Sequence, residues 1–278
     1  MTQTRFHLAL AALSLAVACG DPDANVDDLV CADPSASDAE EAVWLYLAAW
    51  SEEDAFERRC MIQRSLAVDA GFVGAAASVE GRAATVQQLD ARIASLFGQG
   101  AIRETPGAME TRHQEARLAW VTKDASGTLI ERGEDWLEFD EEGLLLRIHI
   151  FAGQGMEASP SDPLLAWERA WNTRDDASRA DALSEAATEV VRFTDLLTDV
   201  RGRDALGAEI GRQQDLLGGT LELSDRVEIF AAVGAEAVLV RQSAEIVLPQ
   251  GGVIRVVNYV RLRGGRIERL SGFPSSAL

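Results

Sequence analysis

Few side chains in this sequence are equipped for chemistry. Its 278 residues include three histidines and three cysteines. That is too few for a His- or Cys-rich metal centre, and no motif asks for a cofactor. His149 alternates with Ile148 and Ile150, so it shares one strand face with Arg147 and Phe151, a candidate pocket wall. An imidazole, with a reference pKa near 6.5, suits proton transfer close to neutrality. Three further polar residues sit in apolar surroundings. Tyr46 lies on the apolar face of a helical pattern, Asp135 lies in a strand pattern beside Gly133, and Asp195 closes a short strand. Each has two readings, hydrogen-bonded structure or an acid–base group. The second half of the chain lacks His and Cys altogether, so nucleophilic triads of those types are not expected there. Six tryptophans (44, 50, 120, 136, 167 and 171) are either core or ligand platforms.

The elements that must position these groups are written twice, about 121 residues apart. Trp50 pairs with Trp171, Asp54 with Asp175, Phe72 with Phe193, and Gly81-Arg82 with Gly202-Arg203. Ala116 and Leu118 pair with Ala237 and Leu239. After small gaps, Arg147 and Phe151 match Arg269 and Phe273. Each copy reads helix, helix, short strand, helix, then a run of strands, an α+β order. In the first copy Ser37-x-x-Glu40 reads as a capping box. It opens a helix that carries Val43, Tyr46, Leu47 and Trp50 inward, followed by a helix with Phe56, Cys60 and Leu66 inward. In the second copy Asp162-Pro163 reads as a helix start. A Gly/Ser/Pro-rich stretch separates the copies. The expected domains are 38–153 and 162–278, with 154–161 as linker.

This order resembles the nuclear transport factor 2-like, or SnoaL-like, superfamily. The resemblance rests on the segments ending the first helices, Tyr46–Asp54 and Trp171–Asp175, and on Glu80-Gly-Arg82 opening the third helix. It spans residues 38–152 and 162–275. It implies two cone-shaped α+β domains, each with three helices packed on a curved antiparallel sheet around an apolar pocket. Members include ketosteroid isomerase, polyketide cyclases and many proteins without chemistry, so fold does not decide activity. Carried over from ketosteroid isomerase, the oxyanion-holding tyrosine falls on Tyr46 and the protonated aspartate on Asp135, while the base position is Gly74. In the second copy the base position is Asp195, but the tyrosine and aspartate positions hold Trp167 and Asn258. Each half therefore carries part of the constellation, with His149 as a substitute base in the first. The pockets so implied are lined by Trp50, Trp120 and Phe151 in one copy and by Trp167, Trp171 and Asn258 in the other.

The N-terminus supplies an address. Arg5 followed by the apolar run Leu8–Val17 reads as an export signal over residues 1–18, too short to span a bilayer. Ala16-Val17-Ala18-Cys19-Gly20 resembles a bacterial lipobox, which places a lipid on Cys19 and the protein at the cell envelope, on the outer membrane facing the periplasm. Ala16-x-Ala18 equally suits ordinary signal peptidase and a secreted product. From Asp21 to Glu57 there are twelve acids and no base, and residues 19–37 read as a solvated tether. In an oxidising compartment Cys31 and Cys60 either pair or remain as two buried thiols. The net charge of −19 argues against nucleic acid as a partner. The bases are 25 arginines and a single lysine, Lys123.

Three functions fit this reading. The first is non-catalytic binding of small apolar molecules in the cone pockets. The second is an acid–base isomerase or cyclase using Asp195 or His149 with Tyr46 and Asp135. The third is a scaffold in which the two copies pack as an intramolecular pseudo-dimer and serve an envelope protein.

Overall fold

The computed structural model describes residues 31, 33–74, 77–153, 155–230 and 237–274. The signal-like segment 1–18, Cys19 and most of the acidic tether lie outside the described residues. Among the described residues there are six helices and two sheets.

The first domain opens with α1 (Ala39–Ala49) and α2 (Ala55–Ser65). Asp38, not Ser37, caps α1 by accepting from the Glu41 amide, and Glu41 reaches back to the Ser37 amide at 2.7 Å. The capping box expected at Ser37 is thus displaced by one residue, because Asp38 is the extended residue whose carboxylate reaches the first turn. Asp54 caps α2 by accepting from the amides of Phe56 and Glu57. Phe56 in that first turn is exposed, so the expectation that it faces inward fails. There follow β1 (Leu66–Gly74), β2 (Ser78–Glu80), α3 (Arg82–Gly98), β3 (Ile102–Glu104), β4 (Glu110–Arg112), β5 (Glu115–Lys123), β6 (Leu129–Phe139) and β7 (Leu145–Ala152). The strands order as β2-β1-β7-β6-β5-β3, with β4 on β5. A disulfide joins Cys31 to Cys60, tying the end of the tether to α2.

The second domain repeats this plan with α4 (Asp162–Asn172), α5 (Asp176–Ala186), β9 (Ala187–Thr194), β10 (Asp199–Arg201) and α6 (Arg203–Leu217). Four long strands complete it: β11 (Thr220–Phe230), β12 (Ala237–Val247), β13 (Val253–Arg263) and β14 (Arg266–Pro274). The repeat holds in atomic detail. Asp54 and Asp175 both cap second helices, and Gly81 and Gly202 both precede third helices with φ near +90° (91° and 88°), a conformation only glycine adopts freely. Arg58 and Arg179 are both buried, and each donates to two carbonyls at the preceding turn.

Three expectations need correction. Each sheet is mixed, since β1 runs parallel to β7 and β9 parallel to β14. The expected linker contains a strand, β8 (Met156–Ala158), which pairs antiparallel with β11 and edges the second sheet. At the start of α4 the N-cap position is Ser161, one residue before Asp162.

Helices cover one face of each sheet and enclose a core in each domain. The other faces meet. Val73, Trp136 and Phe151 of the first sheet pack with Phe230, Leu239, Tyr259 and Phe273 of the second. Polar groups ring this cluster with opposite signs: Glu115, Glu134 and Glu138 on β5 and β6 face Arg241, Arg261 and Arg269 on the second sheet. The preference for arginine over lysine follows in part from burial. Arg58, Arg103, Arg117, Arg179, Arg192 and Arg269 are all buried, where a planar five-donor fork satisfies several acceptors at once.

Candidate functional site

Tyr46 and Asp135 meet in the interior of the first domain, as the spacing suggests. The Tyr46 hydroxyl donates to Asp135 Oδ2 at 2.7 Å, and both residues are fully buried. The interior is not open, however. Arg103 on β3 pairs with the same Oδ2, and Trp120 Nε1 donates to Oδ1 at 2.8 Å. The Arg103 guanidinium lies 3.9 Å from the centre of the Trp50 ring and 4.4 Å from that of Trp120, a cation–π sandwich. Trp50 and Trp120 thus cage a side chain of the chain itself. Asp135 accepts on both oxygens and turns no proton toward an incoming oxyanion. Burial, then the charge of Asp135, push the Tyr46 phenol far above its ordinary value of 10.0, against the pull of Arg103. This geometry is a closed structural ion pair, not an oxyanion hole.

His149 and Phe151 do not wall that interior. On β7, Ile148 and Ile150 point to the helix-covered core, while His149 stacks on Trp136 and Phe151 packs edge-on to Phe230 and Tyr259 between the sheets. His149 Nε2 lies 2.8 Å from Glu138 Oε1. A carboxylate can only accept, so the proton sits on Nε2. Burial holds the imidazole below its ordinary value of 6.5, with Glu138 opposing the shift. Neutral and sealed, His149 is a domain-interface residue.

The second domain differs. A cavity of about 160 Å³ lies among Trp167, Trp171, Phe193, Leu221, Ile246 and Val256, so its wall is mainly apolar. Leu196 and Leu197, both exposed, also line it. Asp195 and Asn258 reach the same cavity, as does Gln213 from α6. Asp195 closes a turn after β9. Its Oδ1 accepts from the amides of Leu197 (2.7 Å) and Thr198 (2.9 Å), and its Oδ2 from Gln213 Nε2 (2.7 Å). Trp167 Nε1 is buried without an acceptor among the described residues. Gly272 on β14 lies between the polar groups: a Cβ there would stand 3.3 Å from Asn258 Oδ1 and 3.9 Å from Asp195 Cβ. Arg112, from β4 of the first domain, also lines this cavity.

The site residues therefore sort by domain. Asp195, Asn258, Trp167 and Trp171 converge on one cavity, whereas Tyr46, Asp135, Trp50 and Trp120 converge on a filled one. Arg103, Arg112 and Gln213 are the participants that sequence reasoning missed.

Among the described residues there are two α+β domains of one plan, the interior of one occupied by Arg103 and that of the other holding an apolar cavity. No known sequence family matches it, and no curated protein does. Solved structures similar to it cover about one domain's length. One is a SnoaL-like family protein from Agrobacterium tumefaciens, 22% identical, covering 41% of this chain and 96% of its own, with a TM-score of 0.37. Another is an NTF2-like protein from Mesorhizobium loti, 18% identical, covering 41% and 88%, with a TM-score of 0.31. A third is a protein with a ketosteroid isomerase-like fold from Catenulispora acidiphila, solved with trimethylamine, 15% identical, covering 41% and 85%, with a TM-score of 0.32.

Proposed function

We propose that this protein binds small apolar molecules in the cavity of its second domain, the first domain acting as a closed support. The contrast between the two interiors carries the reading: Arg103 fills the first, while the equivalent space in the second is an apolar cavity of about 160 Å³. An apolar cavity of about 150 Å³ suffices for benzene, so the fitting ligand is ring-sized and smaller than a steroid. Burial of such a ring against Trp167, Trp171 and Phe193 supplies the affinity.

The test is a melting-temperature series on residues 20–278 with toluene, indole and cyclohexanol. A ligand that binds only the folded state raises Tm in proportion to the logarithm of its concentration. Trp171→Ala is expected to abolish the shift. No shift with any of the three ligands would refute the reading.

One observation favours a second reading, acid–base turnover: Asp195 and Asn258 share the cavity, a carboxylate opposite an amide that can donate to an oxyanion. Deuterium exchange at the α-carbon of cyclohexanone, lost in Asp195→Asn, would establish it. Absence of exchange in the wild type would leave binding alone.

The address is part of the same proposal. Export and a lipid on Cys19 place the cavity at the cell envelope, and a Cys19→Ser variant that stays in the membrane fraction would refute the anchor.

A further inference from the structure

The cavity of the second domain is not built by that domain alone. Arg112 stands on β4 of the first domain, 160 residues before Gly272, and its Nη1 donates to the Gly272 carbonyl at 2.8 Å. Its guanidinium carbon lies 4.6 Å from the centre of the Phe273 ring. The nearest carboxylate is Glu110, whose oxygens lie 4.0 Å from Arg112 and 3.6 Å from Arg117. Among the described residues, Arg112 therefore enters the cavity wall with donors to spare. Across Gly272 stand Asn258, whose side chain has no hydrogen bond among the described residues, and Asp195. The missing side chain at Gly272 leaves open the place where the three polar groups converge.

We propose that Arg112, Asn258 and Asp195 form a polar subsite around Gly272 for one hydroxyl or carboxamide of a neutral, ring-sized ligand. The inference rests on the binding reading above and names its ligand class. A ligand anion would meet the Asp195 carboxylate and a ligand cation the Arg112 guanidinium, each partly withdrawn from water, where unpaired charge is costly. A neutral group that both donates and accepts meets neither penalty. Its hydrogen goes to Asp195 Oδ2, which holds one protein donor, Gln213. Its oxygen accepts from Arg112, and where the group is a carboxamide its second hydrogen goes to Asn258 Oδ1, which faces Gly272. The ring then lies against Trp167, Trp171 and Phe193. Because Arg112 comes from the first domain, the site is complete only when the two sheets are packed together.

The test uses residues 20–278 and four ring compounds in calorimetric titrations: toluene, benzamide, benzoate and benzylammonium. A hydrogen bond to a charged group corresponds to roughly tenfold or more in affinity. Benzamide is expected to bind about tenfold more tightly than toluene, and both ions more weakly than benzamide. Arg112→Met is expected to bring benzamide down to the level of toluene while toluene is unchanged. Retained toluene binding shows that the variant is folded. Asn258→Leu, which leaves the contact between Arg112 and Gly272 intact, is expected to act in the same direction. Equal binding of benzamide and toluene by the wild type, tighter binding of benzoate, or an equal loss of both neutral ligands in Arg112→Met would overturn the subsite while leaving the cavity reading in place. Failure of toluene itself to bind would overturn both.

Discussion

Glu134 of the first domain accepts a hydrogen bond from the Tyr259 hydroxyl of the second at 2.6 Å, across 125 positions of sequence. The same carboxylate takes Arg117 of its own sheet at 2.5 Å and Arg241 of the opposite sheet at 2.8 Å. One acid thus satisfies three donors from both halves beside the apolar cluster of the domain contact. Burial raises its pKa, but Arg117, the Tyr259 hydroxyl and Arg241 outweigh burial and hold it below the ordinary 4.5.

Removing that acid takes the acceptor of the buried Tyr259 hydroxyl and leaves Arg117 with Glu110 at 3.6 Å and Arg241 with Glu228. Glu134→Leu is expected to destabilise the protein by about 3–5 kcal/mol, the range for breaking a buried pair from one side. The urea midpoint checks it. A change below about 1 kcal/mol would mean that the domains are held by the apolar cluster around Trp136 and Tyr259 alone.

Stability is expected to fall in acid in two stages. Burial lowers the His149 pKa below 6.5. Glu138 also lies below its ordinary 4.5: burial raises it, but the hydrogen bond from His149 and the charges of Arg261 and Arg192 prevail. In both groups the folded value lies under the unfolded one, so the folded state binds fewer protons. Their contribution is fully present above the unfolded values and is lost as pH falls through the lowered folded ones. Tm should therefore hold near pH 7–8, decline below about 6.5 as His149 comes into play, and decline more steeply below about 4.5 as the glutamates follow. His149→Gln should remove the first decline only. An unchanged profile in that variant would contradict the assignment.

Arg103 and Asp135 are expected to be strongly coupled. Arg103→Met leaves a buried carboxylate with two neutral donors, and Asp135→Asn leaves a buried guanidinium between two indoles. Each single change should cost several kcal/mol, and the pair Arg103→Met/Asp135→Asn markedly less than their sum. Additive losses in a double-mutant cycle would show that the pair is incidental to folding of the first domain.

Two glycines on the sheets should respond differently to alanine. At Gly133 a Cβ would collide with the Trp120 ring and the Phe151 carbonyl, so Gly133→Ala should cost several kcal/mol and disturb the cage around Arg103. At Gly272 the nearest atoms are Asn258 Oδ1 and Asp195 Cβ, at 3.3 and 3.9 Å. Gly272→Ala should leave the stability within about 1 kcal/mol of the wild type while weakening ligand binding. Equal thermal shifts for the two variants would refute the distinction.

Much of this organisation was legible in the sequence, and the failures have physical causes. The repeat of 121 residues disclosed the duplicated α+β plan, because paired caps and positive-φ glycines recur at fixed points of the fold. The meeting of Tyr46 with Asp135, and of Asp195 with Asn258, followed from the resemblance to ketosteroid isomerase. Arg103 was invisible because an arginine on a three-residue edge strand reads as surface; nothing local marks it as the occupant of a cone. His149 was assigned the wrong face for a different reason. Alternation tells which residues share a side of a strand, but a second sheet covers the side of β7 that carries Arg147, His149 and Phe151, and from sequence a side buried in that way reads the same as a pocket wall. Arg112 acts on Gly272 across a domain boundary, a contact with no local signature.

The three-residue strand β8 has a consequence beyond sealing a sheet edge. Pairing of Met156–Ala158 with β11 leaves only positions 153–155 between the end of β7 and the second sheet. So short a span holds the acidic face of one half at a very high effective concentration next to the arginine face of the other. Their association is then an intramolecular event, insensitive to dilution. A molecule released into the large volume outside a cell, or spread thinly over a membrane, would keep Arg112 in the cavity wall where two separate chains would part.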